Sequence, residues 1–311
     1  GKTADKRLVN VGIGAATTAI IQSSGVTTVL IVGFVNVGIM SLSQATAMIM
    51  GANIGTTITA QIAALSAFPF TTYIQILVFV GIFMSMLTKN DKLKKVGMLV
   101  AGLGLVFIGL SMMSDSMESF KTSIQKIFEA VENPFLLFFL GIVLTAIVQS
   151  SSATTSIIIA MSVAGLQIGT GGNEVLYFIL GTNIGSCVTA IMSSFGAGAN
   201  AKRASLIHLM FNVFGSVIFF IIFLCFPSFM DMTFKRWFSQ SATQIAMFHT
   251  FFNVVCTIIF LPFSEVFVKL SKIIIKDKKK PKEQSYLDER MISSPSIALE
   301  QIGKEMFLIA D

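Results

Sequence analysis

The chain has 311 residues, of which 54% are hydrophobic and only 12% are charged. A soluble domain carries about 25% charged residues, so this composition excludes a soluble globular protein and predicts an integral membrane protein. No Asp, Glu, Lys or Arg occurs between Leu8 and Thr88. The net charge of +6 therefore belongs to loops and tails, and nucleic-acid binding is not expected.

In chain order, hydropathy divides the sequence into eight apolar runs, which predict an all-α polytopic fold. A spanning helix needs about 20 residues, and most of the runs fit one crossing. The first and fifth runs are 33 and 35 residues long, which is too long for one ordinary crossing and too short for two with a turn. The runs are 8–40, 43–65, 70–88, 96–114, 134–168, 174–193, 204–226 and 241–268.

Each of the two long runs contains a polar cluster, Gln-Ser-Ser at 22–24 in "IQSSGVTTVL" and Gln-Ser-Ser-Ser at 149–152 in "VQSSSATTSI". Residues 8–21 would form a helix of about 21 Å, whereas the hydrocarbon core is roughly 30 Å thick. We therefore predict two re-entrant hairpins. In each, one half-helix enters, the chain breaks at the cluster, and a second half-helix, N-capped by serine, returns to the same side.

The two clusters belong to an internal duplication. Aligned on the two glutamines, 18 residues share seven identities, and further along "GANIGTTITA" (51–60) matches "GTNIGSCVTA" (181–190) at six of ten positions. Three crossings lie between the hairpins, so the second hairpin enters from the opposite face. The sequence thus predicts an inverted repeat with broken helices, in which the two tips meet near the midplane.

The loop charges orient this topology. Four lysines at 89–95 follow the third run, which places that connection in the cytoplasm. The same choice makes both ends of the chain cytoplasmic and places the acidic connection 115–133 outside. We expect a multi-pass protein of the cell (inner) membrane.

The clusters also indicate a site. Each break exposes backbone N–H groups at the start of the following half-helix, where the helix dipole places partial positive charge. Two such N-termini facing each other would bind an anion without Lys or Arg. Carbonyl groups freed by the broken turns, together with side-chain oxygens, suit a small hard cation such as sodium.

Two further echoes permit more than one interpretation. The Asn-Ile-Gly motifs at 53–57 and 183–186 could loosen their helices and supply sodium ligands, which we favour, or form a close helix contact through the Gly51/Gly55 and Gly181/Gly185 pairs. His and Asn recur four residues apart in "HLMFNV" (His208, Asn212) and "HTFFNV" (His249, Asn253). We expect polar contacts between these two helices rather than direct ligands.

The motifs "QSSGVTT", "QSSSATT", "GANIGTT" and "GTNIGS" resemble those of the type II sodium-dependent phosphate cotransporters and their bacterial relatives, over most of residues 8–268. The segment "LDERMISSPSIALEQ" (287–301) resembles the junction at which bacterial members join a PhoU-like cytoplasmic domain. The resemblance implies sodium-coupled uptake of inorganic phosphate by alternating access, without enzymatic activity and with Na⁺ as coupling ion in place of a cofactor.

The resemblance also implies roles for individual residues. Phosphate would lie between the two tips, bound by Gln22, Ser23, Ser24, Gly25, Gln149, Ser150, Ser151 and Ser152. The expected sodium-binding residues, from this resemblance and from the Asn-Ile-Gly motifs, are Thr27, Thr28, Asn53, Thr56, Thr154, Thr155, Asn183 and Ser186. The two clusters differ at one position, where the first copy has Gly25 and the second has Ser152.

The predicted domains are a transmembrane transport domain at 1–276 and, at 277–311, the start of a truncated cytoplasmic helical domain that the resemblance makes PhoU-like. A disordered tail is the alternative for the latter. Within the first domain we expect repeat 1 at about 1–88, repeat 2 at about 93–226 and a final helix at 241–268. The first repeat lacks a counterpart of the helix at 96–114, which suggests that the chain is a fragment.

Other functions remain open at this point. A phosphate exporter of the same fold would carry the same motifs, since direction depends on gradients and regulation. A passive anion channel and a phosphate sensor are two further alternatives. The expected partners are inorganic phosphate, sodium and the lipid bilayer, and the sequence leaves the oligomeric state open, a homo-oligomer included.

Overall fold

The computed structural model describes residues 7–68, 73–118, 121–122, 125–126, 133–169, 171–277, 299–302 and 306. These residues form helices joined by short connections, with no β-strand among them. The helices are α1 (Arg7–Ile21), α2 (Ser24–Asn36), α3 (Leu42–Ala64), α4 (Ile74–Leu87), α5 (Asp91–Glu118), α6 (Pro134–Val148), α7 (Ser151–Val163), α8 (Glu174–Gly185), α9 (Cys187–Ser193), α10 (Ala199–Cys225), α11 (Phe229–Met232), α12 (Phe234–Trp237), α13 (Ser241–Phe260) and α14 (Ser264–Ile274).

Five helical stretches in the described part of the chain are long and apolar enough to cross a membrane. They are Leu42–Ala67, Asp91–Glu118, Glu174–Ser193, Ala199–Cys225 and Ser241–Ile274. The prediction of an all-α polytopic membrane protein is therefore confirmed. The last stretch is not one regular helix, because Pro262 lies in a 3₁₀ turn (Leu261–Phe263) that separates α13 from α14, as a residue without an N–H group would require.

The two misfit runs are each split into two short helices, as predicted. Run 8–40 forms α1 and α2, and run 134–168 forms α6 and α7. Each of these four helices has 13 to 15 residues, or about 20 to 23 Å at 1.5 Å per residue. None of them is long enough to cross the membrane alone.

Contacts at one end of the bundle show that the first hairpin returns to its starting side. Arg7, at the start of α1, donates to the Pro262 carbonyl at 3.3 Å. Ser43, at the start of α3, donates to the neighbouring Glu265 at 2.5 Å. The starts of α1 and α3 therefore lie together, and α2, which connects them, runs back towards this end.

The second hairpin opens towards the other end. A cavity of about 390 Å³ is lined by Ser66 just beyond α3, by Ile74 at the start of α4, by Ser114 near the end of α5 and by Val163 at the end of α7. The return arm α7 therefore ends where α3 ends, whereas α2 ends where α3 begins. The two hairpins enter from opposite ends of the bundle, which is the predicted inverted repeat.

Aromatic packing joins α10 to α13 in the centre of the bundle. Phe219 and Phe223 of α10 meet Phe248 and Phe252 of α13, with ring centroids 5.3 Å apart for Phe219 and Phe252 and 5.6 Å apart for Phe223 and Phe248. In lipid, helix association is driven by van der Waals contact rather than by exclusion of water. Interlocking rings supply that contact.

The chain separates into two compact units, Gly1–Ile275 and Lys276–Asp311. Most of the segment predicted to begin a PhoU-like domain, 277–311, lies outside the described residues, apart from 277, the helical residues 299–302 and 306.

Glycines hold the entering arm of each hairpin against the long helix of the same repeat. A Cβ added at Gly51 of α3 would overlap the Val11 carbonyl oxygen of α1, and one added at Gly55 would overlap that of Ala15. The second repeat places Gly181 against the Phe138 carbonyl in the same way. This is the close helix contact that the small-xxx-small pattern allows.

We expect Gly51→Ala to destabilise the protein by about 1 to 3 kcal/mol, because its methyl group would force α1 and α3 apart. A thermal denaturation series in detergent, followed by size-exclusion chromatography, measures the loss. Gly12→Ala in the same helix pair is the control, since nothing lies within 4 Å of an added Cβ there. Equal midpoints for the two variants would contradict the close contact.

Candidate functional site at the two hairpin tips

The break in each hairpin is made by a glutamine in the left-handed conformation. Gln22 has φ 58° and Gln149 has φ 59°, and they are the two non-glycine residues with positive φ in the described ranges. Such a conformation costs roughly 1 to 2 kcal/mol for a residue with a Cβ. The N–H group of each glutamine donates at 2.7 Å to the residue four positions earlier, Thr18 or Thr145, and so ends the first half-helix.

A serine then starts each returning half-helix, as predicted. Ser23 is the N-cap of α2 and accepts from the Val26 N–H at 3.2 Å; Ser150 is the N-cap of α7 and accepts from the Ala153 N–H at 3.2 Å. The helix begins one residue after each cap, at Ser24 in the first copy and at Ser151 in the second.

Backbone donors remain at both tips. An α-helix leaves its first four N–H groups without intrahelical acceptors. At the first tip the cap side chain takes that of Val26 and the Ser23 carbonyl takes that of Thr27. The N–H groups of Ser24 and Gly25 are left at the start of the helix, where the dipole is positive. Ser151 and Ser152 hold the same positions in the second copy.

The tips differ in exposure. Ser151 and Ser152 are only 3% and 8% exposed, whereas Ser23, Ser24 and Gly25 are half-buried. Both glutamines are exposed. The second tip is thus the more enclosed of the two in this conformation.

The threonines that follow each tip are buried and turned towards the break. Thr27 donates to the Ser23 carbonyl and Thr154 to the Ser150 carbonyl, both at 3.0 Å. Thr28 donates to the Ser24 carbonyl at 2.8 Å, whereas the Thr155 hydroxyl is buried without a partner in the described structure. A hydroxyl that donates its proton to a carbonyl keeps its lone pairs available to a cation.

The helix α9 brings the two tips together. A Cβ at Gly25 of the first tip would lie 3.5 Å from Thr189 Oγ1, and Gln149 of the second tip donates from Nε2 to Met192 Sδ at 3.7 Å. Positions 189 and 192 are three residues apart, or about 4.5 Å along the axis, and they share one face of the helix. Both tips therefore lie against neighbouring positions on that face.

The helices that build and contact the tips carry a single formal charge, Arg7 at the far start of α1. Helices α2, α3, α6, α7 and α9 contain no Asp, Glu, Lys or Arg. Groups of three or more His, Cys, Asp or Glu residues able to hold a metal ion are also absent from the described residues. The electrostatics of the tips therefore depend on backbone dipoles, hydroxyl groups and amides.

The two Asn-Ile-Gly motifs both lie in helical chain. Residues 53–57 are inside α3, and Ser186, between α8 and α9, keeps right-handed helical backbone angles and donates its N–H to the Thr182 carbonyl at 3.1 Å. The Ser186 hydroxyl donates to the Asn183 carbonyl at 2.7 Å and the Thr56 hydroxyl to the Ala52 carbonyl at 3.0 Å. The loosening that the sequence predicts is therefore limited to the boundary at Ser186 and does not break the helical stretch Glu174–Ser193.

Each motif asparagine is held by a histidine that sequence reasoning assigned elsewhere. His208 Nε2 lies 3.4 Å from Asn53 Oδ1, and His249 Nε2 lies 3.3 Å from Asn183 Oδ1. Both asparagine amides donate to the carbonyl four residues earlier, so their oxygens must accept from Nε2–H. The sequence predicts polar contacts between the two histidine helices. This prediction is wrong, because each histidine contacts the asparagine of an Asn-Ile-Gly motif instead. The repeated His-Asn spacing nevertheless singled out both histidines.

Two other residues at the tips were not singled out from the sequence. Thr59 donates from its hydroxyl to Gln22 Oε1 at 2.9 Å, and Thr189 faces Gly25 as described above. They are equivalent positions of the second repeated motif, since both lie in its shared Thr-Ala ending. That duplication was the available signal.

Two inverted halves, each with a broken hairpin, define a class of polytopic membrane protein in which binding sites lie between repeats. The model of the Na+/Pi-cotransporter family matches residues 1–115 and 112–252. The chain belongs to this family of transporters.

Individual relatives agree with that assignment. A Bacillus subtilis (strain 168) protein named "Uncharacterized protein YqeW" is 30% identical over 264 residues, which cover 84% of this chain and 82% of that protein. "Putative inorganic phosphate export protein YjbB" of Escherichia coli (strain K12) is 27% identical over 316 residues, and the Salmonella typhimurium protein of the same name is 26% identical over 320. The chain spans about half of these longer relatives, 56% of each. No solved structure matches the chain significantly.

Removing the His208 donor should destabilise the protein. We expect His208→Leu to cost about 1 to 3 kcal/mol, because it leaves the buried Asn53 oxygen without a donor, while His208→Gln, which keeps an N–H donor, should cost less. Denaturation midpoints of the two variants in detergent measure the difference. Equal losses would show that packing, and not the hydrogen bond to Asn53, accounts for the role of His208.

Proposed function

We propose that the protein is a secondary transporter that carries inorganic phosphate into the cell together with sodium. The observation that carries this proposal is the duplicated tip: two uncharged helix N-termini, each preceded by a Gln-Ser break, contact the same helix α9 from opposite repeats. Family membership supports a phosphate substrate with sodium as coupling ion.

The tips suit an oxyanion. Backbone N–H groups at a helix start bind anions through hydrogen bonds and through the dipole, and the serine hydroxyls add donors that can rotate to the ligand. With no Lys or Arg on these helices, the anion would be held without a fixed counter-charge. The proposed phosphate ligands are the residues expected from the sequence, Gln22, Ser23, Ser24, Gly25, Gln149, Ser150, Ser151 and Ser152.

Sodium supplies the missing positive charge in this proposal. A small hard cation prefers carbonyl and hydroxyl oxygens, and the threonines beside the tips keep their lone pairs available. The proposed sodium-binding residues are Thr27, Thr28, Asn53, Thr56, Thr154, Thr155, Asn183 and Ser186. Because Asn53 and Asn183 already accept from histidines, each could offer sodium only the second lone pair of its oxygen.

Alternating access would come from rocking of the two repeats against each other around the central site. Each return arm packs on the opposite repeat, α2 on α9 and α10, and α7 on α3. The Asn36 side chain at the end of α2 accepts from the Gly198 N–H at 2.9 Å, just before α10. Rocking of one repeat would therefore carry the tip of the other and expose the site to either side.

Transport in the opposite direction is the second candidate. It is favoured by the names of the YjbB relatives, which are called phosphate export proteins. The tip geometry is the same for both directions, since the direction of a secondary transporter follows its gradients.

We further propose that both ends of the chain are cytoplasmic and that residues 277–311 begin a PhoU-like cytoplasmic domain.

Reconstituted protein should take up radiolabelled phosphate faster when sodium is higher outside the liposomes. Uptake should saturate with phosphate, because a binding site limits the rate. The control is an equal choline gradient. Saturable flux that ignores sodium would contradict coupling, and flux that does not saturate would indicate a channel. Phosphate-loaded liposomes with the sodium gradient reversed test efflux in the same preparation.

Serine substitutions test the location of the site. Ser151→Ala and Ser24→Ala should each weaken phosphate binding about tenfold, because each removes a hydrogen bond to a charged ligand. Ser162→Ala, close to the end of α7 and away from the tip, is the matched control and should bind as the wild type does. Isothermal titration with phosphate in the presence of sodium gives the three dissociation constants. Equal constants for all three variants would remove the tips from the site.

A further inference from the structure

The two tips differ at one position of their four-residue clusters, where Gly25 stands in place of Ser152. Neither backbone conformation nor packing requires this glycine. Gly25 is not among the glycines with positive φ, and an added Cβ would meet nothing closer than 3.5 Å. That separation is ordinary van der Waals contact, so an alanine or a serine would fit.

The atoms that face Gly25 belong to one side chain from the opposite repeat. The three nearest to an added Cβ are Oγ1, Cγ2 and Cβ of Thr189, at 3.5, 3.7 and 3.8 Å, with the hydroxyl oxygen the closest. Thr189 therefore turns its polar edge towards the first tip. A serine hydroxyl at position 25, one bond beyond its Cβ, would lie within hydrogen-bond reach of Thr189.

The threonine at the equivalent position of the first repeat, Thr59, also contacts a tip. Thr59 donates to Gln22 Oε1 at 2.9 Å and so anchors the first tip from its own repeat. Thr189 approaches the same tip from the other repeat, on α9. Its hydroxyl now donates to the Ser186 carbonyl at 3.0 Å, a contact with its own helix that a charged ligand would readily replace.

We propose that Thr189 is a phosphate-binding residue, and that its hydroxyl supplies at the first tip the hydrogen bond that Ser152 supplies at the second. This inference rests on the proposed function, since it deepens the description of the phosphate site. In this proposed site Ser152 supplies the hydroxyl at the second tip, and Thr189, on α9 of the same repeat, supplies the hydroxyl at the first tip. Gly25 leaves the space through which the Thr189 hydroxyl reaches the anion.

The test is a rescue experiment on the full chain in proteoliposomes with a sodium gradient. Thr189→Val, which keeps the shape and removes the hydroxyl, should raise the KM for phosphate about tenfold. Adding Gly25→Ser to that variant should return the KM to within about threefold of the wild type, because a hydroxyl again lies at the first tip. Thr189→Ser should retain the wild-type KM.

Thr46→Val is the matched control, since the Thr46 hydroxyl also donates to its own helix, to the Leu42 carbonyl at 2.8 Å, and lies near the far end of α3. It should leave the KM unchanged. Thr189→Ala is a second hydroxyl deletion, so that the test survives if the valine variant does not fold. A wild-type KM for either folded deletion variant would overturn the inference, as would a raised KM that Gly25→Ser fails to lower.

The outcomes separate this inference from the proposed function. If wild-type protein takes up no phosphate in either direction, the proposed function itself fails. Suppose that the wild type transports phosphate and that Ser151→Ala weakens phosphate binding, while Thr189→Val leaves the KM for phosphate unchanged. The tips are then the site, and only the role of Thr189 is wrong. Rescue by Gly25→Ser is a result that a structural role for Thr189 in α9 would not produce.

Discussion

The close backbone contact between each entering arm and its long helix is the constraint on which the rest of the structure depends. A helix of 15 residues such as α1 or α6 does not cross the bilayer, so its inner end must be held by protein. Glycines at 51, 55, 181 and 185 allow that hold, since any larger residue would overlap a carbonyl oxygen or a threonine of the arm. The tips are thereby kept at a fixed depth within the bundle, and their two glutamine side chains have partners on α3 and α9 in place of lipid.

The two glutamines at the tips have strained backbones and hydrogen-bonded side chains. Gln22 and Gln149 adopt a conformation that glycine would adopt without cost, and yet both copies keep the glutamine. The side chain explains this at the first tip, where the Gln22 amide bridges the Ala19 carbonyl at 2.5 Å and the Thr59 hydroxyl at 2.9 Å. Gln22 ends one helix and also links the break to the neighbouring helix, and these contacts offset the cost of its strained backbone. Strained conformations usually persist at functional positions where surrounding contacts hold them.

The sequence alone predicted the repeat, the two hairpins, their inversion and the break at each Gln-Ser cluster, because run lengths and duplicated motifs report directly on topology. The partners of the Asn-Ile-Gly motifs were not predictable in this way. His208 lies 155 residues after Asn53, and no periodicity links two positions so far apart. Thr189 was missed for a related reason, since a threonine in an apolar helix normally only bonds to its own backbone.

The histidine bridges have a consequence for how the chain is made. Asn53 belongs to the first repeat, but its partner His208 lies on α10 of the second, and the partner of Asn183 lies later still, on α13. The two halves share their motifs without being self-sufficient. Because α10 follows the first repeat in the chain, the Asn53 oxygen cannot accept its hydrogen bond from His208 until α10 has been synthesised. The second half of the chain therefore completes the hydrogen bonding of the first.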